Sequence, residues 1–181
     1  LSDKQNRHIE ADILFVTDHP WYKKGFLHDE MVNIPEWIVK WLRDKFLPHA
    51  EYKNTSERIY IDRSDSLFNH CQIINSDEVW EFLKNEGFMK IKSTEISFKN
   101  QIGLFNSAKI IVGAHGAGLT NLIFSKTSAN IIEFKPENHP NNVYQRISQI
   151  NNLNYRKITS KSLKLDNDKK KGDILVDLKN F

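Results

Sequence analysis

The sequence is poor in the residues that mark several special classes of protein. It has 181 residues but a single cysteine, Cys71, which excludes a disulfide-stapled scaffold. Seven glycines and five prolines are too few for a collagen-like or low-complexity chain. No apolar run approaches the roughly 20 residues that a membrane-spanning helix needs, so we predict no transmembrane segment. At about 150 residues per domain, we expect one globular domain with a single core.

An excess of charge of one sign is also nearly absent. Twenty-six Lys and Arg residues stand against 23 Asp and Glu residues, which gives a formal net charge of +3. Part of this small excess comes from Lys169–Lys171, a run flanked by acidic residues and typical of a solvated turn. Because no clustered basic face is visible, we expect no nucleic-acid partner.

Short apolar runs of strand length alternate with amphipathic helical patterns. The predicted strands are Ile13–Val16, Ile59–Ile61, Ile110–Val112 and Ile131–Phe134, with weaker candidates at Met89–Ile91 and Tyr155–Ile158. The predicted helices are Val32–Phe46, one from Ser76 that ends at Gly87, Phe98–Ser107, Leu119–Phe124 and Asn142–Ile150. The first three strands are nearly continuous apolar runs, as in strands covered on both faces of a parallel sheet.

This alternation predicts right-handed crossovers onto a doubly wound parallel sheet, an α/β fold of the Rossmann-like kind. In such folds ligands bind outside the carboxyl ends of the strands, where the strand order reverses. We expect residues 1–160 to form this domain and residues 161–181 to form a polar extension that packs on it. Trp37, Trp41 and Trp80 fall at helical core spacing, which predicts packing.

The segment AKIIVGAHGAGLTNLIF is the most informative. A buried strand runs into Gly113–Gly118, and a helix is predicted from Leu119. Small residues let the backbone approach a ligand, and the N–H groups of the helix suit an anion such as a diphosphate. His115 could donate a hydrogen bond to a phosphate oxygen, with Thr120 and Asn121 as further donors. A tight turn that needs glycine for positive φ is the alternative, because neither G-x-G-x-x-G nor a Walker A loop is present.

Two charged residues follow predicted strands. The guanidinium of Arg63 is suited to a diphosphate, although Asp62 and Asp65 also allow a surface ion pair. Arg58 precedes the same strand, at the wrong end for a ligand, and a surface ion pair is favoured there. Glu133 could accept hydrogen bonds from both hydroxyls of a ribose or could occupy a solvated edge. No metal-ligand spacing occurs, so we expect no metal site.

Four runs together resemble a known family. They are RIYIDRSDS, INSDEVWEFLKNEGF, SFKNQIGLFNSAKIIVGAHGAGLTNLIF and NIIEFKP. The chain resembles glycosyltransferase family 61, most strongly from Arg58 to Pro136 and above all in HGAGLTN after a buried strand. That family includes bacterial capsular-polysaccharide transferases, plant xylosyl- and arabinosyltransferases, and animal protein O-linked N-acetylglucosaminyltransferases. The resemblance covers most of this chain but only the carboxyl-terminal half of a family member.

The resemblance implies one half of a GT-B enzyme, the Rossmann-like domain that binds a nucleotide-sugar donor. It implies an inverting, metal-independent transferase without a cofactor, since the donor, expected to be a UDP-sugar, is a substrate. The other partners implied are a glycan or other hydroxyl acceptor and a missing amino-terminal domain that supplies the general base. This chain alone is then expected to bind donor without transferring sugar. The abundance of Lys, Asn and Ile indicates an AT-rich bacterial genome, hence a cytoplasmic or membrane-associated enzyme of capsule or surface-polysaccharide synthesis.

Site residues follow from the resemblance by position. Arg63 and His115 would act in catalysis by stabilising the departing diphosphate, and Ser97–Gln101 and Glu133 would lie near the base and ribose. The expected diphosphate-binding residues are Gly113, His115, Gly116, Ala117, Gly118, Leu119, Thr120 and Asn121. Where family members often carry a further Arg, this chain has Leu67–Cys71, which leaves the donor's identity open. The alternative function is a nucleotide-binding or nucleotide-sugar-binding module without catalytic activity; a dinucleotide-dependent domain is disfavoured by the missing G-x-G-x-x-G.

Overall fold

Helices and strands alternate along the chain in a computed structural model that describes residues 12–13, 33–64, 70–137, 139–160 and 172–180. The elements are α1 (Glu36–Phe46), β1 (Arg58–Ile61), α2 (Ser76–Asn85), β2 (Met89–Ile91), α3 (Phe98–Ser107), β3 (Ile110–Ala114), β4 (Asn130–Pro136), α4 (Val143–Ile150) and β5 (Asn154–Ser160). Short 3₁₀ helices span Leu47–His49, Ser93–Glu95 and Leu178–Asn180, and a longer one spans Ala117–Phe124. The predicted strand Ile13–Val16 lies outside the described residues except for Ile13.

The five strands form one parallel sheet in the order β2-β1-β3-β4-β5. The α/β, doubly wound, Rossmann-like prediction is therefore confirmed. The strand order reverses between β1 and β3, which is where ligands bind in this class of fold. The two weaker strand candidates are the edge strands β2 and β5, and an edge strand has less of its surface covered than a central one.

The two faces of the sheet carry separate layers of core. Register places Ile59, Ile111 and Ile131 side by side, and these three pack against α1, α3, α4 and the long 3₁₀ helix. Their neighbours Tyr60 and Val112 point the other way and pack against α2. Since both rows of side chains are buried, the central strands need apolar residues at every position, which explains their continuous runs.

The helix ends follow their local sequence closely. Ser97 accepts a hydrogen bond from the backbone N–H of Asn100 at 3.3 Å and so caps α3. Gly87, at φ +77°, follows α2 in the conformation that glycine adopts most readily.

Helix α1 begins at Glu36, after Pro35, and turns Val39 fully inward. The predicted packing of the tryptophans on this helix was wrong, because that rotation leaves Trp37 53% and Trp41 51% exposed.

Residues 172–176 close the α2 face of the sheet. The Ile174 N–H donates to the carbonyl of Gln72 at 2.7 Å, and the Ile74 N–H donates to the carbonyl of Ile174 at 2.9 Å. The Asn75 side-chain amide pairs with the backbone of Val176 as a neighbouring strand would. It donates to the Val176 carbonyl at 2.9 Å and accepts from the Val176 N–H at 3.0 Å. Ile174 and Val176 are buried beside α2, so the expected polar extension supplies apolar core residues. A domain boundary at residue 160 stays a prediction.

Gly103 gives a test of how α3 packs. In an ordinary helix Gly→Ala stabilises by about 1 kcal/mol. Here a Cβ would lie 2.7 Å from the carbonyl carbon of Glu51 and closer still to its oxygen, which is backbone and cannot rotate away. We therefore expect Gly103→Ala to lower the free energy of unfolding by about 1–3 kcal/mol in urea denaturation. Lys99→Ala, at an exposed position of the same helix, should stay within about 0.5 kcal/mol. A stabilised Gly103→Ala variant would contradict this packing.

Candidate functional site

A crevice lies at the carboxyl end of β1, beside the end of β3, where the strand order reverses. Its volume is about 270 Å³, and its lining is mostly polar. Two cations, Arg63 and Lys90, and two carboxylates, Asp62 and Asp77, contribute to that lining. The position is the one at which doubly wound sheets bind ligands, and the mixed charge suits a polar, anionic ligand with hydroxyl groups.

Arg63 lies against the backbone of the glycine-rich loop. Its guanidinium donates to the carbonyl of His115 and, at 3.4 Å, to the carbonyl of His70. A Cβ on Gly116 would lie 2.7 Å from Nη1 of Arg63 and closer still to the guanidinium carbon. Gly116 has φ 165°, an extended conformation that any residue can adopt. A left-handed backbone is therefore not the reason why this position is glycine. It is glycine because the guanidinium occupies the space of a side chain.

The segment after this glycine is a 3₁₀ helix. It starts at Ala117, two residues before the predicted helix, and runs to Phe124. The Leu119 N–H donates to the carbonyl of Gly116 at 3.0 Å, and the Leu119 side chain is 1% exposed. Leu119 therefore anchors the loop in the core and does not face a ligand. In the described part of the chain no backbone carbonyl accepts from the N–H of Ala117 or Gly118, as is usual for the first residues of a helix.

The far end of this 3₁₀ helix is held by three side chains, one from α1, one from α3 and one from the residue that follows α4. Arg43 of α1 donates to the carbonyls of Ile123 and, at 2.8 Å, Ser125. Asn106 of α3 donates to the carbonyl of Phe124 at 3.0 Å. Asn151, which follows α4, donates to the carbonyls of Leu122 and Ile123 at 3.0 and 2.9 Å. Burial lowers the pKa of Arg43. Our reading of the sequence missed all three, since an isolated Arg or Asn carries no positional signal.

His115 and Glu133 form a buried pair on the α1, α3 and α4 side of the sheet. Strand alternation places Gly113 and His115 on one face, and register places Glu133 beside Gly113. Nδ1 of His115 is hydrogen-bonded to Oε1 of Glu133, and the Tyr155 hydroxyl donates to Oε2. Glu133 is 1% and His115 5% exposed. Because both carboxylate oxygens are engaged and shielded from solvent, this geometry does not favour the expected contact of Glu133 with a ribose.

Aromatic rings surround His115. The His139 and Tyr144 rings lie 4.0 and 5.1 Å from it, centroid to centroid. Burial raises the pKa of Tyr144 to about 12, although the nearby Thr120 side chain acts in the opposite direction. Burial and the charge of Glu133 raise the pKa of Tyr155 as well. Both phenols therefore stay protonated near neutral pH and remain hydrogen-bond donors.

The side chain of Asn121 connects the glycine-rich loop to α3 through hydrogen bonds. Its amide donates to the Gln101 side chain at 2.9 Å and to the Gly118 carbonyl at 3.4 Å, and it is 9% exposed. Gln101 in turn donates to the carbonyls of Ser93 and Ile96. The segment Ser97–Gln101 is thus joined to the glycine-rich loop through one amide pair.

The predicted site residues therefore fall into two groups. The first group lies at the carboxyl end of the sheet, around the glycine-rich turn: Arg63, Gly116, Ala117, Gly118 and Thr120. The second group is buried: Gly113, His115, Leu119, Asn121 and Glu133. Their predicted roles in binding stay predictions.

Lys135 is a buried cation that our reading of the sequence did not assign to the site. Its ammonium donates to the carbonyl of Asn141 and, at 2.9 Å, to the Asn142 side chain, and burial lowers its pKa. It thereby fixes the chain that leads from β4 to α4. Within the ranges that the structure describes, no group of three His, Cys, Asp or Glu side chains could hold a metal ion. No helix in those ranges is long and apolar enough to cross a membrane.

Comparison with known proteins places these features in a family context. Residues 15–132 match the family model described as Glycosyltransferase 61. A stretch of 108 residues is 29% identical to the EGF domain-specific O-linked N-acetylglucosamine transferase of Drosophila melanogaster. That stretch covers 58% of this chain and 21% of the relative, so the chain matches about a fifth of the relative's length.

Arg43 provides a test of how the 3₁₀ helix is held. Arg43→Ala leaves two backbone carbonyls without their charged donor, and we expect it to lower the free energy of unfolding by about 1.5–3 kcal/mol. Lys45→Ala, on the exposed side of the same helix, should change it by no more than about 0.5 kcal/mol. Urea denaturation of both variants measures the difference. Equal effects would mean that Arg43 contributes no more than a surface cation.

Proposed function

The chain belongs to the glycosyltransferase 61 family, as its motifs predicted, and from that premise we propose that it is the donor-binding domain of a glycosyltransferase. The donor is a nucleotide-sugar, and the acceptor carries a hydroxyl group. The observation that supports this most directly is the Arg63 guanidinium packed on Gly116 at the strand-order reversal. Glycine at that position leaves room for a fixed cation where a diphosphate would approach the backbone.

The reaction proposed is an inverting, metal-independent transfer. The acceptor oxygen attacks the anomeric carbon, the bond from that carbon to the diphosphate oxygen breaks, and a general base takes the hydroxyl proton. Negative charge grows on the leaving diphosphate. Arg63 and the N–H groups of Ala117 and Gly118 are suited to stabilise that charge, because such donors act most strongly when held in place before the reaction. Loss of one donor of this kind typically costs about 10²–10³ in turnover.

The finer features of the proposal come from the family and its members. We propose a UDP-sugar donor, a GT-B arrangement in which a second Rossmann-like domain supplies the general base, and a role in surface-polysaccharide or capsule synthesis. The relative from Drosophila is named for N-acetylglucosamine, which makes UDP-N-acetylglucosamine the first donor to test. Asp62 and Asp77 in the crevice offer acceptors for sugar or ribose hydroxyls.

A nucleotide-sugar-binding module without catalysis is the alternative. Both functions predict donor binding by this chain. They differ in transfer by a protein that contains both domains, assayed with a set of UDP-sugars and glycan acceptors; turnover there excludes the module.

Arg63 tests the diphosphate site directly. We expect Arg63→Ala to weaken UDP binding about 10- to 100-fold, the effect of removing a charged hydrogen bond worth about 1.5–3 kcal/mol, while uridine binding changes little. Isothermal titration of both ligands measures this. Arg58→Ala is the matched control, because Arg58 lies at the opposite, amino end of the same strand and donates to the Glu86 carbonyl at 2.7 Å. Equal losses for UDP and uridine would show that Arg63 is not a phosphate ligand.

Gly116→Ala moves the same guanidinium without removing it. Because the Gly116 backbone is extended and the obstructing atoms end a flexible side chain, the variant should fold with a small loss of stability. The displaced guanidinium should weaken UDP binding about tenfold or more, in the range expected for a disturbed charged hydrogen bond. A thermal melt and a UDP titration on the same sample check both statements. Unchanged UDP affinity would contradict the placement of the diphosphate beside this glycine.

A further inference from the structure

Lys90 is a cation of the crevice that the proposed reaction does not use. It belongs to the edge strand β2, where register places it beside Tyr60 of β1. Tyr60 packs on the α2 face of the sheet, and because paired residues of adjacent strands point to the same face, Lys90 points there too. Both residues line the crevice, together with Ser76 and Asp77 at the start of α2.

The Lys90 ammonium lies over an aromatic ring. Nζ is 4.4 Å from the centroid of the Trp80 ring, which is within the range of a cation–π interaction. The indole is itself stacked on the Tyr60 ring, with centroids 6.2 Å apart and an angle of 16° between the planes. Tyr60 is 4% exposed, so the stack rests on the core. The two rings therefore give the ammonium a defined position at the wall of the crevice.

A ring holds a cation without cancelling its charge. Five other lysines in the described part of the chain form ion pairs with carboxylates: Lys40, Lys53, Lys84, Lys92 and Lys109. Among the same described residues Lys90 forms no ion pair, although Asp62 and Asp77 line the same crevice. The Asp62 carboxylate accepts from the backbone N–H of Ser64 at 2.9 Å and from its hydroxyl at 3.2 Å. The charge of Lys90 is thus available to an anion that enters the crevice.

The ligand of the proposed function calls for a second cation. Each phosphate of a nucleotide-sugar carries negative charge at neutral pH, and more develops on the diphosphate as the sugar leaves. Arg63 supplies one positive charge, and in the proposed transfer no metal ion supplies another. Lys90 is the other cation among the residues that line the crevice. The two cations come from adjacent strands, which lie about 5 Å apart, since Arg63 follows β1 and Lys90 belongs to β2.

We propose that Lys90 is a second diphosphate-binding residue and that Trp80 is the positioning residue that holds its ammonium in place. The inference rests on the proposed function, because it concerns the diphosphate of the same donor. It adds two elements to the site, since β2 supplies a cation and α2 supplies the ring that orients it. An ammonium held before the ligand arrives loses less side-chain entropy on binding than a freely rotating lysine.

Lys90→Met tests the charge, because methionine keeps an unbranched apolar side chain. Isothermal titration of the 181-residue chain with UDP and with uridine separates contacts with phosphate from contacts with the nucleoside. We expect Lys90→Met to weaken UDP binding about tenfold or more, as for the loss of a charged hydrogen bond, and to change uridine binding less than about twofold. Lys90→Arg, which keeps the charge, should recover affinity for UDP. An unchanged UDP affinity for Lys90→Met, or equal losses for UDP and uridine, overturns the proposal.

Lys84→Met is the matched control. Lys84 lies in the last turn of α2, pairs with Glu81 at 3.7 Å and does not line the crevice. The variant removes the same charge from the chain as Lys90→Met does. We expect it to change UDP affinity less than about twofold, because exposed charges remote from the ligand are screened by salt. A loss as large as that of Lys90→Met would mean that Lys90 acts only through net charge, and the proposal would be wrong.

Trp80→Leu tests positioning. Removing the ring frees the ammonium but keeps its charge, so UDP affinity should fall only about two- to fivefold, the range of one cation–π interaction. In the Lys90→Met background the same change should have no further effect, because no ammonium is left to hold. A purely structural contribution of Trp80 would lower UDP affinity by the same factor in both backgrounds, which would exclude the positioning role. If Trp80→Leu does not fold, Trp80→Phe, which keeps a ring of weaker cation–π strength, gives the same comparison.

The outcomes also separate this proposal from the function on which it rests. If the wild-type chain binds neither UDP nor UDP-N-acetylglucosamine, the proposed function fails and this inference fails with it. If the wild-type chain binds UDP, and Arg63→Ala weakens that binding while Lys90→Met does not, the proposed function stands and the role of Lys90 is wrong.

Discussion

The carbonyl groups at the end of the long 3₁₀ helix impose the constraint on which this half of the molecule depends. That segment is largely buried, and buried carbonyls must find donors. Arg43, Asn106 and Asn151 provide them from α1, α3 and the end of α4. These hydrogen bonds connect α1, α3 and the end of α4 to the same short segment, Leu122–Ser125. The other end of the 3₁₀ helix follows Gly116, on which the Arg63 guanidinium packs, so the packing of this layer also sets the position of the glycine-rich turn.

Small residues at the crevice have separate physical reasons. Gly116 is required by the guanidinium of Arg63, and a Cβ on Gly113 would lie 3.2 Å from the Cβ of Ile61 across the strand pair. Neither adopts the left-handed backbone conformation that favours glycine. The turn therefore resembles a close-packed contact between two strand ends more than a flexible loop. Rigidity of this kind is what electrostatic stabilisation of a leaving group needs, since donors that reorganise during the reaction contribute less.

Much of the fold could be predicted, because buried parallel strands and capped helices leave strong local patterns. The central strands, the Ser97 cap and the stop at Gly87 all follow from a few adjacent residues. The positions of Arg63 and of the glycine-rich loop, each directly after a strand, were predictable in the same way. The contact of Glu133 with His115 could not be predicted in this way, because it depends on strand register. Glu133 lies next to His115 only when β4 is aligned beside β3. Arg43 and Asn151 were missed for a related reason, since each acts across a sequence separation of 28 residues or more.

The contact between Asn75 and Val176 has a consequence for synthesis of the chain. The two residues are 101 positions apart, and with Ile174 they complete the core beneath α2. On a ribosome, the face with α1, α3 and α4 has all its described partners once β5 has emerged, whereas the α2 face must wait for residues 174–176. Contacts of such sequence separation form late and slowly. During that interval Val79 and Leu83 lack the part of their cover that Ile174 and Val176 supply, which leaves apolar surface open to misassociation.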